Sequence, residues 1–284
     1  MYTTLIQPEE LAKLLPTADV RIFDVRHDLA QSEAGVLAYR HSRIPGAVFL
    51  DMNHELSGER TASNGRHPLP EREAFHNVMV RAGVGEATQV VVYDAQRGIM
   101  ASRLWWMLRW LGFPRVAVLD GGWQAWQAAG LAVDETPLEH SVLPGPAVKP
   151  LPLQQPLSGS VSVTDVMKNL ESPAFVLVDA REQARYRGVT EPLDPVAGHI
   201  PGALNRPAAT NLDADGRFKQ ASSLRDEFSA FLGKTPPDQV VHQCGSGISA
   251  CHNLLAMEHA GLAGSRLYPG SWSEWCSDPV RPVA

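Results

Sequence analysis

Val240-Val241-His242-Gln243-Cys244-Gly245-Ser246-Gly247-Ile248-Ser249-Ala250 opens as a buried apolar strand, turns through a glycine-bearing loop and runs into the helical pattern of Cys251 to Ala260. Cys244 therefore stands where a strand ends and a helix begins. In an open α/β sheet that junction is the customary ligand site, and successive loop amides beside a helix N-terminus form an anion-binding nest. A free cysteine with a pKa of about 8.5 is only ~3% thiolate at pH 7, and such surroundings lower that pKa, so a thiol here is expected to ionise readily. Gly245 and Gly247 let the backbone curl closely around an anion.

Working outward, the same plan occurs twice. A helix entered at Pro8 leads to the strand Val20 to Arg26; in the second half Thr164 is expected to cap a helix over 165–171, ahead of the strand Phe175 to Arg181. His41-Ser42-Arg43-Ile44-Pro45-Gly46-Ala47 is echoed by Gly198-His199-Ile200-Pro201-Gly202-Ala203-Leu204. Val90 to Asp94, followed by Ala95-Gln96-Arg97-Gly98-Ile99 and a helix, echoes the cysteine loop at an offset of 149, which sets Ala95 on Cys244 and Gly98 on Gly247. Trp123 and Trp126 share that offset with Trp272 and Trp275. Anchors in one order with nearly one offset indicate an internal duplication. The expected division is a first copy over 1–138, a proline-rich linker over 139–157 holding Pro144, Pro146, Pro150, Pro152 and Pro156, and a second copy over 158–284. Short apolar strands alternating with helices predict an α/β fold: in each copy, a mainly parallel sheet with helices on both faces.

The 284 residues, 44% hydrophobic, suffice for two cores, and a net charge of −6 offers no basic stripe for nucleic acid. No apolar run reaches membrane-spanning length and no signal pattern opens the chain, so the reading is a cytoplasmic protein with no membrane or nucleic-acid partner. Cys244, Cys251 and Cys276 show neither metal-ligand spacing nor a disulfide framework, so no metal is expected.

Cys244-Gly245-Ser246-Gly247-Ile248-Ser249-Ala250 resembles the active-site loop of the rhodanese superfamily. Its form is the Cys-Gly-Ser-Gly-x-x-Ala of 3-mercaptopyruvate sulfurtransferases rather than the Cys-Arg-Lys-Gly of thiosulfate-using rhodaneses. The resemblance covers nearly the whole chain and implies two tandem rhodanese-like domains, the first without its cysteine. It also implies a Cys244 persulfide as the intermediate, no organic cofactor, 3-mercaptopyruvate or thiosulfate as donor, and a thiol, thioredoxin or cyanide as acceptor. Ping-pong kinetics follow from such a covalent intermediate.

On this resemblance the amides of Gly245, Ser246, Gly247, Ile248, Ser249 and Ala250 hold the persulfide, and Arg185 binds the donor's anionic end at the loop's mouth. A second arginine, which many mercaptopyruvate enzymes carry shortly before Gly-His-Ile-Pro, is absent from Val189 to Ala197. His67, in Gly65-Arg66-His67-Pro68, matches the histidine that the first copy lends to the cleft; a proton relay with Ser246 and a structural loop histidine are both open readings, the expected acidic third member falling at Asn53 or Asp51. Ser246 and Ser249 serve either as hydroxyl donors to sulfur or as helix caps. Cysteine phosphatases place an arginine where Ala250 stands, so phosphate loses its bidentate partner here. His242 reads as a core histidine, Cys251 and Cys276 as incidental, with Cys251 the one positioned to resolve an oxidised Cys244. Beside 3-mercaptopyruvate sulfur transfer stand two other readings, a thiosulfate sulfurtransferase and a non-catalytic sulfur-carrying or binding module.

Overall fold

The computed structural model describes residues 1–16, 19–138, 143, 145, 147 and 149–284. Part of the expected linker, 139–142 with Pro144, Pro146 and Val148, lies outside the described residues. The chain groups into two compact units, one of Met1–Gly58 with Pro70–Leu157 and the other of Glu59–Leu69 with Ser158–Ala284. A stretch of eleven residues from the first half of the sequence thus belongs to the second unit.

The first unit runs β1 (Leu5–Ile6), α1 (Pro8–Leu14), β2 (Val20–Asp24), α2 (Ala34–His41), β3 (Val48–Phe49), α3 (Arg72–Arg81), β4 (Gln89–Tyr93), α4 (Ala101–Trp110), β5 (Val116–Leu119) and α5 (Gly122–Ala128). Its strands form one parallel sheet in the order β1-β5-β4-β2-β3. Central β4 is buried along its whole length, as the continuous Val90-Val91-Val92-Tyr93 run requires when both faces are covered. Pro8 opens α1 behind a capping box between Gln7 and Glu10. The described end of the linker packs on this unit, with Leu151 buried and Gln154 and Leu157 amides bonded to the carbonyls of Leu111 and Arg109.

The second unit runs α6 (Val163–Glu171), β6 (Val176–Asp179), α7 (Gln183–Tyr186), β7 (Leu204–Asn205), α8 (Ala221–Leu232), β8 (Val240–Gln243), α9 (Ala250–His259), β9 (Arg266–Leu267) and α10 (Ser271–Trp275). The parallel order is β7-β6-β8-β9. Ser162, not Thr164, caps α6: its hydroxyl accepts the Asp165 amide while Asp165 reaches back to the Ser162 amide. Both residues are good caps, but only Ser162 has an acid three positions on to close the box.

Strand register corrects the alignment of the two copies. Asp24 pairs with Tyr93 and Asp179 with Gln243. Asp24 and Asp179 are themselves equivalent, each buried and bonded to the arginine two residues on. Tyr93 therefore matches Gln243, and Asp94, rather than Ala95, occupies the place of Cys244. The first loop has one residue more than the second, which restores the offset of 149 from Gly98 and Gly247 onward.

Candidate active site

β8 delivers Cys244 to the carboxyl edge of the sheet, and α9 begins six residues later. Cys244, Ser246 and Ile248 are almost wholly buried. Gly247 has φ +77°, and a Cβ on it would be driven into the Pro269 carbonyl, so this turn admits only glycine. The amides of Ser246, Ile248, Ser249 and Ala250 donate to no protein acceptor among the described residues. Such a row of unpaired N–H groups at a helix start is an anion site.

The chain from Tyr268 to Ser273 cradles this loop from behind. Trp272 and Ser273 amides bond the carbonyls of Cys244 and Gly245 at 3.0 and 2.9 Å. The Ser271 hydroxyl accepts the Cys244 amide at 3.1 Å and donates to the Tyr268 carbonyl at 2.9 Å. Ser271 holds φ +55°, a left-handed backbone uncommon for a residue with a Cβ, and the equivalent position in the first unit is Gly122 at φ +60°. The second unit accepts that strain and gains a hydroxyl that fixes the backbone of its cysteine.

Glu59–Leu69 supplies the opposite wall. The His67 Nδ1 lies 2.8 Å from the Ser246 hydroxyl, and both are buried. The Arg66 amide donates to the Ser273 hydroxyl at 3.0 Å, and the Arg66 guanidinium is paired with Asp194. Asp51 belongs to the first unit, where its carboxylate accepts the amides of Asn53 and His54.

Arg185 reaches the mouth of the loop from α7. Its Nη2 and Nε bond Glu191 at 2.6 and 3.2 Å, and Nη2 lies 3.4 Å from Asp194. Burial raises the Glu191 pKa, but the Arg185 hydrogen bond and the amides of Leu193 and Asp194 outweigh it, so this carboxyl sits below its ordinary range. Arg181 is structural: buried, it doubly bonds Asp179 and donates to the Gly198 carbonyl.

The remaining candidates separate cleanly. His242 is fully buried with Nε2 3.1 Å from the Met257 sulfur, and burial pushes its pKa down to about 3, so it is a neutral core residue. Burial likewise pushes the Cys276 thiol up to about 11. Cys251 is buried and directs its thiol to the Gly247 carbonyl at 3.4 Å. All three cysteines are free, and no group of His, Cys, Asp and Glu suited to a metal occurs among the described residues.

Sequence reasoning brought Cys244, Ser246, His67 and Arg185 to one place but missed Arg66, Asp194 and Ser271. Arg66 adjoins His67 in Gly65-Arg66-His67, and that adjacency was its only signal.

Comparison with known proteins gives the family. The Rhodanese-like domain model matches residues 7–129 and 162–278. A probable 3-mercaptopyruvate sulfurtransferase of Pseudomonas aeruginosa is 43% identical over 99% of this chain and 97% of its own length. A putative thiosulfate sulfurtransferase of Mycobacterium tuberculosis is 39% identical over 98% of this chain and 96% of its own. Among solved structures, the 3-mercaptopyruvate sulfurtransferase of Leishmania major superposes with a TM-score of 0.82 at 32% identity, covering 96% of this chain and 74% of that one. The 3-mercaptopyruvate enzyme of Escherichia coli gives 0.78 at 32%, covering 96% and 100%. With both halves matched and the relatives aligned along nearly their full length, the chain belongs to the rhodanese family as a tandem of two rhodanese-like domains.

Proposed function

We propose that this protein is a sulfurtransferase that takes sulfane sulfur from 3-mercaptopyruvate onto Cys244 and passes it to a thiol, thioredoxin or cyanide. The observation that carries the reading is the first unit's own loop. There the Asp94 carboxylate, at the place of Cys244, accepts the amides of Gln96, Gly98, Met100 and Ala101 at 2.7–2.9 Å. A persulfide also projects an anionic atom beyond the side chain's first heavy atom, and the counterparts of Met100 and Ala101 are Ser249 and Ala250, whose amides have no protein acceptor among the described residues.

The Cys244 thiolate attacks the donor sulfur; an S–S bond forms as the C–S bond breaks, and its electron pair passes to the methylene carbon as an enolate. That carbon takes up the donor's thiol proton, and pyruvate leaves. The acceptor then attacks the outer sulfur and returns the S–S electron pair to Cys244. The His67–Ser246 pair offers a proton route beside the nucleophile, and the loop amides hold the persulfide without a cation inside the nest. The first domain is assigned to 1–138, the linker to 139–157 and the catalytic domain to 158–284, with Arg66 and His67 reaching the catalytic loop from Glu59–Leu69. Three free thiols favour a reducing cytoplasm.

Incubating the protein with each donor and mapping peptides by mass tests this directly. One added sulfur on Cys244 from mercaptopyruvate, with a higher kcat/KM than thiosulfate, is the expected result. Sulfur on another cysteine, or a preference for thiosulfate under matched acceptor conditions, overturns it.

A further inference from the structure

The turn that cradles the Cys244 loop is itself wrapped by a carboxyl. The Glu274 side chain folds back across Gly270, so that a Cβ on Gly270 would fall inside the carboxyl group. Gly270 has φ −64°, a value open to any residue, so space and not backbone conformation calls for glycine here. Burial raises the Glu274 carboxyl above its ordinary range, and the Tyr268 hydroxyl and the Arg281 guanidinium draw it partly back. Tyr268 is wholly buried, and its hydroxyl meets no other polar partner among the described residues. Between Tyr268 and Glu274 in the chain stand Gly270 and Ser271, the residue held at φ +55° whose hydroxyl accepts the Cys244 amide.

The first unit shows what this turn needs when no chemistry depends on it. At the places of Tyr268, Gly270, Ser271 and Glu274 it has Leu119, Gly121, Gly122 and Ala125. There α5 still starts, and the Trp123 amide still bonds the Asp94 carbonyl at 2.8 Å, as the Trp272 amide bonds that of Cys244. Neither carboxyl nor phenol is required to make the turn. Both occur in the copy where a residue with a Cβ has to stay in the left-handed region, at a cost in free energy. Resting on the sulfurtransferase reading above, we propose that Glu274 is a positioning residue for the nucleophile: its carboxyl, laid across Gly270 beside Tyr268, holds Ser271 in that backbone and, through the Ser271 hydroxyl, fixes Cys244. Without the carboxyl the turn relaxes toward an ordinary φ and Ser271 withdraws its hydroxyl from the Cys244 amide. The thiolate then loses its set direction toward the donor sulfur.

The test is a double-mutant cycle on kcat for mercaptopyruvate, with cyanide as acceptor and the melting temperature read alongside. Glu274→Ala, which copies the first unit, and Ser271→Gly each lower kcat about 10-fold with KM little changed, since each frees the Cys244 backbone. The double variant is no slower than the slower single one, because both changes act through the same hydroxyl. Its melting temperature recovers most of what Glu274→Ala loses, since glycine takes the left-handed backbone without strain, while kcat stays low. A residue that only stabilised the fold would lose and regain stability and kcat together. Glu274→Gln, which keeps the shape across Gly270, retains most of kcat, and a fall as deep as that of Glu274→Ala overturns the proposal. So does an unchanged kcat in Glu274→Ala. Should Glu274→Ala fold poorly alone, Ser271→Gly and the double variant carry the comparison: equal kcat supports the proposal, and a further loss of about 10-fold in the double variant overturns it. Wild-type protein that gains no sulfur on Cys244 from mercaptopyruvate fails the sulfurtransferase reading, whereas protein that gains it and shows additive losses fails this proposal alone.

Discussion

The two loops of this molecule descend from one plan and solve opposite problems. In the first unit Asp94 fills its own nest, four amides closing on one buried carboxylate, and the loop is complete without any ligand. In the second unit a cysteine stands at that place, the loop is one residue shorter, and amides of the same nest are left for an anion that chemistry must bring. Ser271 replaces Gly122 behind it, adding a hydroxyl to the cysteine's backbone. An anion nest is therefore either a structural joint or a reactive centre, according to whether the sequence supplies the anion.

The strongest way to break that comparison is to copy the first loop into the second. Cys244→Asp is expected to abolish sulfur transfer, as Cys244→Ser must. It differs from serine in stability, because the carboxylate takes up amides that a hydroxyl leaves unpaired, a gain of about 1–3 kcal/mol. Paired urea titrations of the two variants measure it. An aspartate variant no more stable than the serine one would mean that the shorter loop has lost the nest's geometry, and the parallel between carboxylate and persulfide would fail.

The second test asks how much of the reactive loop lies outside its own half of the chain. A protein beginning near Leu157 retains Cys244 to Ala250 and Arg185 but lacks Arg66 and His67, both of which belong to the second unit. Its kcat/KM for mercaptopyruvate is expected to fall by about 100-fold or more, the His67–Ser246 bond and the Arg66 contacts with Ser273 and Asp194 being lost together. Full specific activity from a soluble fragment would show Glu59–Leu69 to be dispensable.

Much of this was legible in the sequence, because the signals were local or repeated. The apolar runs and the strand–loop–helix around Cys244 gave the parallel α/β architecture and the candidate nucleophile without reference to distant contacts. What escaped was set by long-range packing. Anchoring the copies on Gly98 and Gly247 hid the extra residue in the first loop, so Ala95 was placed on Cys244; only the pairing of Asp24 with Tyr93 and of Asp179 with Gln243 reveals Asp94 there. Arg66 carries no pattern of its own, and its meaning comes from a segment that folds with the other half of the chain. Ser271, next to Trp272, carries no signal of its own, since a positive φ on a serine leaves no mark in sequence.

The smallest effect expected at neutral pH concerns the strand beneath the cysteine, where the units differ by Val92 in one and His242 in the other, positions made equivalent by the pairing of Phe23 with Val92 and of Val178 with His242. Burial, with a lesser contribution from Arg206, holds His242 neutral in the folded protein down to about pH 3. In the unfolded chain it takes a proton below about pH 6.5. Between those values the unfolded state binds more protons than the native one, so stability falls as pH falls, and is fully present above about pH 6.5. Each unit of pH in that window costs at most about 1.4 kcal/mol, so the step from pH 7 to pH 5 should cost roughly 2 kcal/mol through this residue alone. His242→Val, copying the first unit, removes that slope while the other titrating groups stay. Urea unfolding of both proteins at pH 7 and pH 5, followed at the transition of the second unit, reads the difference directly. Equal losses in the two proteins would mean that His242 is not the buried neutral group its place beside Met257 implies.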